Sequence, residues 1–277
     1  MSARRAAVRK PARKAVRRTP AWVVPAAVLA GIALVVATFF LIRWYLTPVA
    51  PAAPGLDTTQ ALVTQITSMP TSQFEAVGQG TANNLIKPVS GTPLTGATGK
   101  PEVLYIGAEY CPYCAAERWP LIIALSRFGT FSGLHTTTSS STDVYPDTPT
   151  FSFHGATFTS DYVDFRAVEE TDRDQKPLET PSAAEQAVYT KYGSGSIPFI
   201  DFGNRYVLNA ATYSPDLLGG QSWQPIAGEL RDPSTPQARA VLGSANLITA
   251  AICKTTGDRP AAVCSTPTIQ ALEKKLS

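Results

Sequence analysis

Two cysteines separated by two residues, Cys111-Pro112-Tyr113-Cys114, are the strongest chemical signal in this 277-residue sequence. A dithiol of this kind exchanges with other thiols. The thiolate of one cysteine attacks a disulfide, a mixed disulfide forms, and the second cysteine resolves it. Pro112 suits the first position of a helix, where its missing N–H would have no intrahelical partner anyway. Cys111 then stands at the N-cap, where free backbone N–H groups and the positive end of the helix dipole favour an anion. In such settings a cysteine pKa falls from about 8.5 to roughly 3.5–7.5. Cys111 therefore reads as the nucleophile and Cys114 as the resolving thiol.

Two quieter uses of the pair stand beside this one. Zinc would need two more ligands, and His135, His154, Cys253 and Cys264 are the ones available, without the usual spacing. A structural Cys111–Cys114 disulfide would close so short a loop that it adds little stability. Cys253 and Cys264 form a second pair across a turn at 255–260 that contains Gly257 and Pro260. An oxidising exterior would join them, for about 3 kcal/mol of loop-closure stabilisation. The other use for that pair is a shuttle exchanging with Cys111.

The dithiol needs a strand and a helix to hold it. Residues 103–107, Val-Leu-Tyr-Ile-Gly, are a short β-branched and aromatic run and predict a buried strand ending just before it. From 112 to 128, Ala115, Trp119, Ile122, Ile123 and Leu125 recur at helical spacing, with a kink expected at Pro120. Strands are expected at 134–139, 150–158 and 162–168, and a helix at 181–192. Two short strands, 197–202 and 205–208, flank the hairpin signal Gly203-Asn204. Helices are further expected at 56–69, 238–253 and 268–276, with turns and short strands over 69–100. Strands alternating with helices in this order make an α/β domain.

At the other end, eight Lys and Arg fall within residues 1–20 without one acidic residue, so the rest of the chain is net negative despite an overall charge of +3. Residues 21–42 follow as 22 residues without an ionisable side chain, long enough to cross a bilayer as a helix. The positive-inside rule puts the basic tail in the cytoplasm and the remainder outside. A basic tail also suits nucleic acid, but its place beside an apolar span accounts for the same charges, and no nucleic acid is expected. A cleaved signal peptide would have a shorter apolar core. Residues 43–56, rich in Pro and Ala, read as a spacer, and 57–277 as the extracytoplasmic domain with a helical C-terminal segment.

The dithiol together with Lys191-Tyr192-Gly193 and Ile197-Pro198-Phe199-Ile200 resembles the thioredoxin superfamily. That resemblance implies a cis proline at Pro198 facing the dithiol. It also implies backbone groups at Ile197 offered to a bound polypeptide, so Ile197 and Pro198 are the candidate substrate-binding residues. Residues 104–131, 196–206 and 245–264 resemble the membrane-anchored family described as domain of unknown function 929. The fold implied is thioredoxin-like α/β: a central mixed sheet flanked by helices, an insertion after the first helix at 132–159, and one N-terminal transmembrane helix.

Two positions depart from thioredoxins. Tyr110 stands where Trp usually precedes the first cysteine, and Tyr105 where a buried acid is usual. Proton removal from Cys114 then needs another base. Glu109 and Glu117 are nearby, though each also reads as a solvated surface residue. The function expected is a membrane-anchored extracytoplasmic thiol–disulfide oxidoreductase, needing no cofactor or metal. Its partners would be exported polypeptides with thiols or disulfides and a separate redox partner. The alternative is a thioredoxin-like binding or scaffold domain that does not turn over.

Overall fold

A computed structural model of the chain describes residues 23–46 and 55–276. Two compact units divide it, residues 1–49 and 50–277. In the first, α1 (Val23–Leu46) carries the apolar run, and each of its described side chains, 29–43, is exposed. Among the described residues no helix is long and apolar enough to cross a membrane. The basic tail 1–20, the first two residues of the expected span and spacer residues 47–54 lie outside them.

The second unit opens with α2 (Leu56–Thr67) and α3 (Thr71–Val77). It continues with β1 (Lys87–Pro88), β2 (Glu102–Gly107), α4 (Pro112–Leu125), β3 (Gly129–Ser132), β4 (His135–Thr138), β5 (Pro149–Ser152), β6 (Thr157–Ser160) and β7 (Asp164–Glu169). After α5 (Ala183–Tyr192) come β8 (Phe199–Phe202), β9 (Tyr206–Leu208), a 3₁₀ turn at Pro215–Leu218, α6 (Trp223–Glu229), α7 (Pro236–Thr256), α8 (Ala261–Cys264) and α9 (Pro267–Glu273).

Five strands form one mixed sheet in the order β1-β9-β8-β2-β7. β2, interior between β8 and the edge strand β7, runs parallel to β7 and antiparallel to β8. Its side chains alternate between two cores. Val103 and Tyr105 join the larger one with Trp119 of α4 and Leu247 of α7. Leu104 and Ile106 join the smaller one with Tyr189 of α5 and Phe199. A strand covered on both faces has no polar side to show, hence the unbroken apolar run in its sequence.

The expected strand at 150–158 is two strands. Gly155, at φ +74°, turns the chain after Phe153, so that β5 pairs with β4 and β6 with β3 as two nested ribbons. The expected stretch of turns at 69–100 contains the short helix α3 as well as β1. Pro120 leaves α4 unbroken. Proline cannot donate to the carbonyl four residues back, and Tyr213 takes the vacancy, its hydroxyl donating to the Ala116 carbonyl at 2.6 Å. The Gly203-Asn204 turn has both residues at positive φ, +66° and +55°, the conformation that matches the twist of a tight hairpin.

Candidate functional site

Cys111 is the N-cap of α4 and Pro112 its first residue. The Cys111 Sγ accepts a hydrogen bond from the Cys114 backbone N–H at 3.2 Å, satisfying one of the donors that a helix start leaves open. Both thiols are free. Cys111 is 5% exposed and Cys114 fully buried, and the two are chemically unequal. A hydrogen bond from the Cys114 thiol lowers the Cys111 pKa, opposed by burial and helped by backbone N–H groups and the charge of Arg118. Burial, then the proximity of Cys111, pushes the Cys114 thiol well up.

Behind the pair lies a buried ion pair. Arg118, four residues after Cys114 on α4, donates from Nε and Nη2 to the two carboxylate oxygens of Glu169 at 2.8 and 2.7 Å. Neither side chain is exposed. Tyr105, at the position where the resemblance implies an acid, is fully buried with its ring 5.8 Å from the Arg118 guanidinium carbon and 5.1 Å from the Phe153 ring. Its hydroxyl has no hydrogen-bond partner. A Cβ at Gly107 would collide with that hydroxyl, so the last residue of β2 is one that leaves the tyrosine room.

The expectation that Glu109 and Glu117 are solvated is overturned: Glu109 is 7% exposed and Glu117 wholly buried. Glu109 lies 3.8 Å from His135. Glu117 faces away toward Thr212 and Ser244. No hydrogen bond joins either carboxylate to a cysteine sulfur among the described residues. Arg118 and Glu169 escaped the sequence reading because a charge within an apolar helix face or at a strand end looks solvated until its partner, 51 residues away, is found.

The nested ribbons stand against the dithiol helix. Thr150 donates to the Ala115 carbonyl at 2.7 Å and the Trp119 indole to the Pro149 carbonyl at 2.9 Å. The loop between β4 and β5 reaches the dithiol itself. Ser140 N–H donates to the Tyr110 carbonyl at 2.9 Å, and Tyr145 packs edge-on against Tyr113 with centroids 5.8 Å apart. Arg173 holds the same loop through Asp147 at 2.7 Å. The Ile197–Pro198 bond is cis. Phe199 pairs with Ile106, which puts Pro198 at the sheet end where Gly107 leads to Cys111. Tyr189 packs on Phe199 at 5.3 Å, and burial pushes its hydroxyl up to about 12, with both cysteines among the nearby charges.

The model of the family described as domain of unknown function (DUF929) matches residues 86–254, more than half of the chain. The chain belongs to this family. No curated protein and no solved structure matches it. The DUF929 segment contains the whole mixed sheet, the dithiol, the Arg118–Glu169 pair, the Ile197–Pro198 bond and Cys253. Cys264, α8 and α9 follow it.

Cys253 and Cys264 are joined in a disulfide with Cα atoms 5.6 Å apart. It ties the end of α7 to α8, and both residues are buried. The structure thus separates the four cysteines into a free pair at the head of α4 and a closed pair at the tail of α7. Among the described residues, no three of His, Cys, Asp and Glu gather closely enough to hold a metal ion.

Proposed function

We propose that the DUF929 domain is thioredoxin-like and works as an extracytoplasmic thiol–disulfide oxidoreductase on cysteines of exported polypeptides, anchored by its N-terminal helix. The observation that carries this is the inequality of the two thiols. One sulfur accepts a backbone N–H at a helix start and is favoured as thiolate; the other is buried one turn on and held as thiol. That division of labour is what exchange through a mixed disulfide requires.

In the reducing direction, the Cys111 thiolate attacks one sulfur of a substrate disulfide, forming the mixed bond and releasing one substrate thiolate. Cys114 then loses its proton and attacks the Cys111 Sγ. The Cys111–Cys114 disulfide forms, and the second substrate sulfur departs and takes up a proton. The oxidising direction reverses each step. Ile197 and Pro198 border the site in this reading, and the β4–β5 loop limits what reaches Cys111. The 22-residue run at 21–42, the basic tail before it and the exposed apolar side chains of α1 support the anchor.

The test is trapping with the full-length chain and a disulfide-bonded polypeptide. Cys114→Ser should accumulate a mixed disulfide on Cys111, and Cys111→Ser should accumulate none on its buried partner. Absence of any adduct with Cys114→Ser would sink the reading. A scaffold that does not turn over is the second reading, favoured by the near-complete burial of Cys111 and by Tyr105 in place of an acid. It requires a reduction potential below about −300 mV, the range of inert structural disulfides.

A further inference from the structure

Buried charges persist only when paired, and the pair behind the dithiol is lopsided. Glu169 occupies one edge of the Arg118 guanidinium, the edge made by Nε and Nη2. The guanidinium is a rigid planar fork, so Nη1 lies on the other edge, and it is buried without a hydrogen-bond partner. Arg118 follows Cys114 by four residues, which puts the two on one face of α4. Helical side chains lean back toward the N-terminus, here toward the turn that carries the thiols. Tyr105 closes the space with a hydroxyl that also has no partner.

We infer that Arg118 supplies the positive charge that holds the Cys114 thiolate while the mixed disulfide on Cys111 is resolved, in place of a carboxylate base. The inference rests on the dithiol exchange proposed above. Burial is the largest influence keeping the Cys114 thiol protonated, and the next two come from Cys111. Once the Cys111 Sγ is bonded to a substrate sulfur it carries neither charge nor proton, and those two influences end. Burial then stands against Arg118, with a smaller contribution from the Ala108 backbone on the arginine's side. In the step itself the Cys114 S–H bond breaks, the Cys114–Cys111 S–S bond forms, the Cys111–substrate S–S bond breaks, and the departing substrate thiolate takes up a proton. The substrate disulfide is reduced and the dithiol oxidised. Glu169 holds the guanidinium in place and partly offsets its charge.

The internal step can be followed in the full-length chain with Cys111 blocked as its mixed disulfide with methanethiol, formed by methyl methanethiosulfonate, by measuring methanethiol release against pH. Arg118→Met should move the midpoint of this profile up by about one unit, roughly tenfold in rate at a fixed pH below it. Arg118→Lys should recover most of that. Glu169→Gln should move the midpoint the opposite way, because the guanidinium keeps its amide partner but loses the countercharge. A pair that merely props the fold would slow the step in both variants. A wild-type midpoint in Arg118→Met, or an upward shift in Glu169→Gln, overturns the inference, and the second variant keeps the test open if the first does not fold. No polypeptide substrate takes part, so failure of Cys111 to exchange with polypeptide disulfides would strike the proposed function while this profile still decided the role of Arg118.

Discussion

One carboxylate oxygen of Glu117 accepts both the backbone N–H and the hydroxyl of Thr212, at 2.8 and 2.9 Å, while its other oxygen is buried with no partner. The Thr212 hydroxyl also lies 2.5 Å from Ser244 Oγ, whose own proton goes to the Ala240 carbonyl. One hydroxyl proton cannot serve both neighbours. The pocket therefore satisfies a carboxylate incompletely, and burial outweighs the Thr212 contacts to raise the Glu117 pKa from 4.5 to about 7.

Stability should accordingly fall as pH rises. A folded state that keeps a proton the unfolded chain has released is favoured below the unfolded pKa and loses that advantage as pH climbs through the folded one. For Glu117 the window is 4.5 to about 7, and the full change is on the order of 3 kcal/mol. Asp201, raised by burial to about 6, adds a change of the same sign. Urea unfolding at about pH 5 and about pH 8 should show the decline, and Glu117→Gln should flatten most of it. A wild-type profile that rises across this window contradicts the account.

Alkylation should discriminate the thiols. With its thiolate favoured by the Cys114 thiol and by backbone N–H groups, Cys111 should react with iodoacetamide at a midpoint below the usual value of about 8.5. Cys114 should stay unmodified in the native protein, since burial both hides and protonates it. Peptide mapping across a pH series reads both; equal labelling of the two would show that the asymmetry is absent in solution.

Gly107→Ala should cost about 1–3 kcal/mol, the range for overpacking a filled core. Its new Cβ meets the Tyr105 hydroxyl and ring, and Tyr105 is pinned by Phe153 and Arg118. In a Tyr105→Leu background the same change should cost clearly less. Strict additivity of the two changes in thermal melts would mean that they do not share a space.

Replacing both Cys253 and Cys264 by serine should destabilise the domain by about 3 kcal/mol, the loop-closure value for so short a loop. Exchange at Cys111 should continue in the folded fraction, because the two pairs occupy opposite ends of different helices. Loss of exchange without loss of stability would point instead to a shuttle between them.

Elements set by neighbouring residues were legible in the sequence. The β2–α4 corner follows from an apolar strand run and a proline at the helix start, and the β8–β9 turn from Gly203-Asn204. The ends of α7 fell outside the expected 238–253, at Pro236 and Thr256, where its Thr235 cap accepts the Ala238 N–H and Gly257 stops it at φ +66°. The strand expected at 150–158 failed because an apolar run does not show which partner each half will take. Phe151 and Phe158 belong to different ribbons, and only the closing of β4 on β5 and β3 on β6 separates them.

The sequence by itself determined the dithiol and the strand-to-helix corner that presents it, since capping and strand propensity act within a few residues. Only the tertiary structure decided how the buried charges are paired. Arg118 meets Glu169 across 51 residues and Glu117 meets Thr212 across 95. A charged side chain is read as solvated until the fold removes the water and supplies the partner. Burial then multiplies every remaining interaction, so the partners of these buried charges are the ones no local pattern could reveal.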